Sequence, residues 1–272
     1  MKLAVCEAPA GMVPGDAGWK RLTECAKRLK ADILLLNEMP FGQWVSAAPE
    51  PDVDRLVECH KLHDAGLEHL VQLGARAVLG TRPTFERHRS VNMAFIWTRD
   101  SGFRAVHTKQ FFPDEEGYYE ARWFERGDLR FQQAQFQGLQ VGFLTCTDVM
   151  FPEWARYYGR RGAHLIAVPR ATPLPSLERW KTVMAASAII SGCYVASSNR
   201  SGVGSDGQEF GGRGWIFGPA GNLVAETSTK QPVVTADIDL RLVEQAKVGY
   251  PSYVRELPVE EMVGLLNREQ GP

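Results

Sequence analysis

The chain has 272 residues, of which 44% are apolar, and a formal net charge of −1. This apolar share supports a full hydrophobic core and excludes disorder, and the near-neutral charge without a basic block excludes an electrostatic footprint for nucleic acid. No apolar run nears the ~20 residues that span a bilayer, and the amino terminus lacks the pattern of a signal peptide. The five cysteines are scattered without paired short spacing, so the expected setting is a reduced cytoplasm, with no disulfide framework, zinc site or membrane contact.

Strand and helix signals alternate from the start, and no linker divides the chain. Lys2 to Cys6 reads as a strand, and Asp16 to Lys30 as a helix with Trp19, Leu22, Ala26 and Leu29 on one face. Ile33 to Leu36 is a continuous apolar run, as expected of a strand covered on both sides, and ends at Asn37-Glu38. Asp52 is placed to cap a helix carrying Val53, Leu56, Val57, Leu67, Leu70 and Val71. Ala77 to Gly80 is a short strand. Val91 to Thr98 and Phe103 to Thr108 flank Asp100-Ser101-Gly102, a hairpin signature. A long charged and aromatic loop covers Gln110 to Gly127. The strands Phe131 to Phe136 and Leu139 to Cys146 follow, joined by a Gln137-Gly138 turn. Pro152 to Arg161 and Arg179 to Ser191 read as helices, and His164 to Val168 and Cys193 to Ser197 as strands. Trp215 to Phe217 and Leu223 to Glu226 form a hairpin, and Val233 to Ile238 is the last strand before a mixed tail. Hairpins mixed with crossover helices and strongly apolar strands predict an α/β fold of two mixed sheets packed face to face, with helices outside.

Three residues at predicted strand ends carry the chemistry. Cys146 closes an apolar strand where the chain turns into a helix, a place where the helix dipole and free N–H groups favour a thiolate. The alternative is plain core packing. Glu38 ends a buried strand among residues poor in compensating charge, which raises its proton affinity and suits a general base. The alternative is a cap or a structural ion pair. Lys109 closes the strand from Phe103, where an ammonium can stabilise a tetrahedral anion. The alternative is an ordinary solvated lysine. A Cys–His pair has candidates too. His60, His63 and His69 look like surface residues of a helix, whereas His107 lies on the strand leading to Lys109. The glycine-rich Gly211 to Gly214 lacks the lysine and hydroxyl of a phosphate loop.

Glu38, Lys109 and Cys146 in this order resemble the Glu-Lys-Cys triad of the nitrilase superfamily of carbon–nitrogen hydrolases. The resemblance spans nearly the whole chain: Asn37-Glu38-Met39-Pro40, Val91-Asn92-Met93-Ala94, Pro113 to Glu120, Phe124 to Asp128, Cys146-Thr147-Asp148 with Phe151-Pro152-Glu153, Ser198-Asn199-Arg200, and Gly218 to Gly221. It implies a four-layer α-β-β-α sandwich in a single domain over residues 1–272, assembled as a homodimer or larger homo-oligomer, with no metal or organic cofactor. It implies that Glu38 takes the thiol proton of Cys146, that Lys109 and the backbone N–H of Thr147 hold the oxyanion, and that Glu120 orients substrate and tunes Lys109. A cysteinyl thioester then forms with release of ammonia or an amine, and water hydrolyses it.

True nitrilases usually read Cys-Trp-Glu at the nucleophile. Cys146-Thr147-Asp148 and the Pro113 to Glu120 loop are more similar to amidases and N-carbamoyl amide hydrolases, while Thr147 departs from the tryptophan of several carbamoylputrescine-type members. The substrate expected is therefore a small amide or N-carbamoyl compound. Arg170, after the strand ending Val168-Pro169, is a candidate to pair with a substrate carboxylate, or else a structural ion-pair partner. Trp44, Tyr119, Trp123 and Phe151 are candidates for an apolar wall, or simply core. Nitrile hydrolysis, acyl transfer from the same thioester and a non-catalytic nitrilase-like binding module are the alternatives in function. A metal-dependent amidohydrolase lacks a His-x-His or carboxylate cluster in its support. The tail 247–272, with Tyr250, Tyr253, Val254, Leu257, Met262 and Leu265, is expected at an oligomer contact.

Overall fold

Period-two alternation within apolar runs decides how this chain stacks its layers. The computed structural model describes residues 1–86 and 88–255. In it, Lys2–Pro9 (β1), Ile33–Leu35 (β2) and Ala77–Glu86 (β3) pair in parallel, and Arg89–Thr98 (β4) and Gly102–Thr108 (β5) add antiparallel strands at one edge. The second sheet holds Gln133–Phe136 (β6), Leu139–Phe143 (β7), Leu165–Arg170 (β8), Tyr194–Val203 (β9), Glu209–Gly211 (β10), Trp215–Phe217 (β11) and Leu223–Glu226 (β12). Val233–Asp237 (β13) returns to pair antiparallel with β1. The start of β1 pairs with β2 and its end, Glu7 to Pro9, with β9, so one strand ties the two sheets together.

Leu3, Val5, Ile33 and Leu35 point inward and meet Val141, Phe143, Leu165 and Ala167 of the other sheet in one core cluster. Their neighbours Ala4, Cys6, Leu34 and Leu36 point outward, against Trp19, Leu22 and Ala26 of the helix Ala17–Leu29 (α1). The helix Val53–His69 (α2) lies beyond β3, with Asp52 accepting from the N–H groups of Asp54 and Arg55 at its start. A single turn, Glu120–Trp123 (α3), interrupts the long loop. On the other side, Leu144, Ile166, Val168 and Val195 pack against Tyr158 of Pro152–Arg160 (α4) and Met184 and Ala188 of Leu177–Ser191 (α5). The order is α-β-β-α, and each large apolar side chain buried between layers contributes roughly 1.5–3 kcal/mol.

The differences from the sequence reading have local causes. β3 and β4 run on together past Gly80, because Pro83 lies beyond the stretch of β3 that pairs with β2 and owes no N–H to that neighbour. β7 stops at Phe143, three residues before Cys146, and β9 continues to Val203. Leu240–Val248 (α6), capped by Asp239 and anchored by buried Val243, falls in what the sequence offered only as a mixed tail. Leu257, Met262 and Leu265 lie outside the described residues. Among the described residues no helix is long and apolar enough to cross a membrane, and no group of His, Cys, Asp and Glu is placed to hold a metal.

His60 and His63 are not surface residues: both are buried, and His63 is 1% exposed. The His63 ring is fixed in one neutral tautomer, since Nδ1–H donates to the Cys59 carbonyl at 2.7 Å and Nε2 accepts from the Phe41 N–H at 3.3 Å. Burial pushes its pKa from 6.5 down to about 3. The unfolded chain therefore binds one more proton than the folded one between these values. Stability from His63 is complete above the unfolded pKa and is lost as the pH falls through that window. His63→Gln should lower the urea midpoint at about pH 7.5, and its deficit against wild type should narrow toward about pH 5. A constant deficit would show that His63 does not carry acid sensitivity.

Candidate active site

The carboxyl ends of β2 and β5, the turn after β7 and the helical turn α3 converge on one buried cluster. Lys109, just past β5, places its Nζ 2.9 Å from Glu38 Oε1 and 2.6 Å from Glu120 Oε2. Glu38, Lys109 and Glu120 are 0% exposed and Cys146 is 3% exposed, so the cluster is shielded from bulk solvent. Asn92 in β4 braces two of them, donating from Nδ2 to Glu38 Oε1 at 2.8 Å and accepting the Lys109 N–H at 2.9 Å. Glu38 is thus not the carboxylate without compensating charge that its sequence neighbours suggest. The cation comes from 71 residues away.

The electrostatics follow from burial. Desolvation raises the Cys146 pKa well above that of an ordinary thiol; Glu38 and Glu120 push the same way, and Lys109 only partly opposes them. The resting group is the neutral thiol, not the thiolate expected from a helix terminus, because the residue opens a short 3-10 turn, Cys146–Met150, and is fully desolvated. Burial pushes Glu120 up to about 8 against the pull of Lys109, with Glu38 adding to the rise. Burial by itself would lower the Lys109 pKa, yet Glu120 and Glu38 together hold the ammonium above the ordinary lysine range.

The backbone is strained at the edge of this cluster. Cys146 has φ +48° and Met39, next to Glu38, has φ +40°. Non-glycine residues persist in this region only when their surroundings hold them. Met39 is held by its N–H donating to Thr81 Oγ1 at 2.8 Å. Arg200 holds the same loop through the carbonyls of Glu38, Met39 and Gly42. Thr147 stands at the start of the 3-10 turn, where backbone N–H groups have no acceptor within the helix.

The remaining candidates are sorted by their partners. Arg170 is fully buried, and its guanidinium donates to Ser197 Oγ, Thr172 Oγ1 and the carbonyls of Gly212 and Arg213 while lying 4.0 Å over the Trp215 ring. These oxygens occupy the fork that a substrate carboxylate would need, so the structure favours an internal brace over the carboxylate reading. Trp44 and Trp123 donate their indole N–H groups to Gly117 and Ala48 carbonyls and join Met39, Tyr118, Ala171 and Phe210 in an apolar cluster beside the site. Tyr119 is partly buried at its edge, under the Arg122 guanidinium, and Phe151 stacks on Phe111 at 3.8 Å. His107 pairs with Asp148 through Nε2 at 2.9 Å. Asn92, Asp148 and Arg200 were not singled out as working residues by the sequence reading. Asn92 is a lone polar residue within an apolar strand, which was an available signal; Asp148 and Arg200 stand among other polar residues and nothing local marks them.

A family model described as carbon-nitrogen hydrolase matches residues 19–248. The chain is 30% identical to a 2-oxoglutaramate amidase of Bacillus subtilis (strain 168), over 82% of this chain and 84% of that protein. It is 28% identical to an N-carbamoylputrescine amidase of Arabidopsis thaliana, over 86% and 84% of the two chains. Its fold is shared with a carbon-nitrogen hydrolase from Helicobacter pylori G27, with a TM-score of 0.84, 22% identity and coverage of 98% and 99%.

Proposed function

The chain belongs to the carbon-nitrogen hydrolase family and is a hydrolase of amide-type C–N bonds, and on that premise we propose that it cleaves a small amide or N-carbamoyl compound through a covalent bond to Cys146. One observation carries this reading: a buried ammonium held between two carboxylates, all three acting on one buried thiol. Glu38 Oε1 is occupied by Asn92 and Lys109, whereas Oε2 is buried with no partner among the described residues and is free to accept the thiol proton. That transfer leaves the net charge unchanged, replacing the Glu38–Lys109 ion pair by thiolate and Lys109. An ammonium has three N–H donors. Glu38 and Glu120 take two, and the third, with the Thr147 N–H, holds the oxyanion formed when the thiolate attacks the substrate carbon. Protonated Glu38 returns its proton to the departing ammonia, leaving a thioester, or a thiocarbamate from an N-carbamoyl substrate. Glu38 then deprotonates the water that releases the acid and the thiol.

Substrates such as those named for the two amidases, an oxo-acid amide and an N-carbamoyl amine, set the class to test first. With Arg170 engaged by the protein, Tyr119, Trp123 and Trp44 are proposed to shape an apolar entrance for an uncharged amide end. The test is ammonia release from short amides, N-carbamoyl compounds and nitriles, with hydroxylamine added to trap the acyl-enzyme as a hydroxamate. Ammonia from amides or N-carbamoyl compounds, with hydroxamate when hydroxylamine is present, is expected. Release from nitriles alone would turn the reading toward nitrile hydrolysis, and silence across the panel toward a binding role. Exposed Val248, Tyr250, Tyr253 and Val254 support a homodimer contact near the end of α6, to be checked by light scattering.

A further inference from the structure

We propose that Asp148 is a positioning residue that fixes the distance between Cys146 and Lys109. The inference rests on the catalytic reading of those two side chains. Asp148 is 0% exposed, and both of its oxygens carry two hydrogen bonds. Oδ1 accepts from the backbone N–H groups of Gln110 at 3.1 Å and Phe111 at 2.9 Å. Oδ2 accepts from the N–H of Thr145 at 3.2 Å and from His107 Nε2 at 2.9 Å. Gln110 and Phe111 directly follow Lys109, and Thr145 directly precedes Cys146. A single carboxylate therefore clamps the strand exit that carries the ammonium to the turn that carries the thiol. His107, on the strand leading to Lys109, adds a side-chain tie along the same seam. Hydrogen bonds to an ionised acceptor are about twice as strong as neutral ones, which suits a clamp that must also hold Cys146 at a positive φ.

The requirement for a carboxylate is specific. Asparagine has nearly the same volume, but its nitrogen can only donate. Asp148→Asn keeps one oxygen's pair of bonds and sets a donor against the other pair, opening one end of the clamp. Glutamate keeps both acceptors and moves them by one methylene. Misplacement of reacting groups by about 1 Å costs on the order of 10²-fold in rate. Asp148→Asn should therefore lower kcat by about 10- to 100-fold with KM within about twofold, and Asp148→Glu should lower kcat in the same way by a smaller factor.

The discriminating readout is the rate at which iodoacetamide alkylates Cys146, followed by peptide mass mapping well below each variant's unfolding temperature. A clamp that aligns thiol, base and ammonium predicts slower alkylation in both variants. A purely structural role predicts lower unfolding temperatures with alkylation and kcat of the folded protein unchanged. Wild-type kcat and alkylation in Asp148→Asn would overturn the proposal; if that variant does not fold, the same result in Asp148→Glu would do so. Turnover that survives Cys146→Ala would instead defeat the catalytic reading itself, while alkylation would still report on the clamp.

Discussion

Cys146→Ala is expected to lower ammonia release by at least about 10³-fold while leaving the fold and substrate affinity nearly intact, because loss of a nucleophile removes the covalent path but not the binding surface. No other thiol can take over. Cys6 and Cys59 are buried and pushed up to about 12, Cys193 is buried and raised, and Cys25 lies on α1 behind the first sheet. The Cys59–His63 neighbourhood resembles a dyad only in composition, since the imidazole proton is committed to the Cys59 carbonyl. Alanine also removes a neutral group in the resting state, so no buried charge is orphaned and stability should change by no more than about 1–2 kcal/mol. Single-turnover assays on wild type and variant, with equilibrium binding of the substrate measured separately, check both halves. Equal ammonia release from the two proteins would displace Cys146 as the nucleophile.

The sequence exposed the layers more readily than the site. Continuous apolar runs such as Ile33 to Leu36 and Leu3 to Cys6 mark strands covered on both faces, because both the helix layer and the second sheet demand apolar side chains there. Glu38, Lys109 and Cys146 were visible as polar residues closing such runs. Their mutual arrangement was not, since the pairing of Lys109 with Glu38 spans 71 residues. Arg170 shows how much lies beyond local view. An arginine after a strand near a binding face reads as a ligand for anions, yet its oxygen partners come from Thr172, Ser197, Gly212 and Arg213, mostly from a strand and loop beyond local view. Cys146 misled differently: its position suggested a helix terminus, whereas desolvation outweighs the field of a short 3-10 turn. Single-residue chemistry is legible locally, but the sign of a pKa shift depends on burial, which is set by the whole fold.

Lys109→Met should be the most damaging single change after loss of the thiol, for two separable reasons. Methionine preserves the length of the side chain but removes the donor assigned to the oxyanion, and one lost donor of this kind costs about 10²–10³ in kcat. It also leaves Glu38 and Glu120 buried without their cation, and breaking a buried ion pair from one side costs about 3–5 kcal/mol. Glu120, already pushed up to about 8 with the lysine present, can escape that cost by binding a proton. A carboxyl group raised in the folded state keeps its stability below its unfolded pKa and loses it as the pH climbs through the folded value. Wild type shares that loss up to about pH 8, where its Glu120 ionises against the ammonium, so the stability deficit of Lys109→Met should widen most above about pH 8, as read from urea midpoints. Adding Glu120→Gln to Lys109→Met removes one of the stranded charges and should recover part of the stability, flatten its pH dependence and restore no turnover. Stability independent of Lys109, or activity regained in the double variant, would mean that the ammonium does not bridge the two carboxylates for the purpose of catalysis.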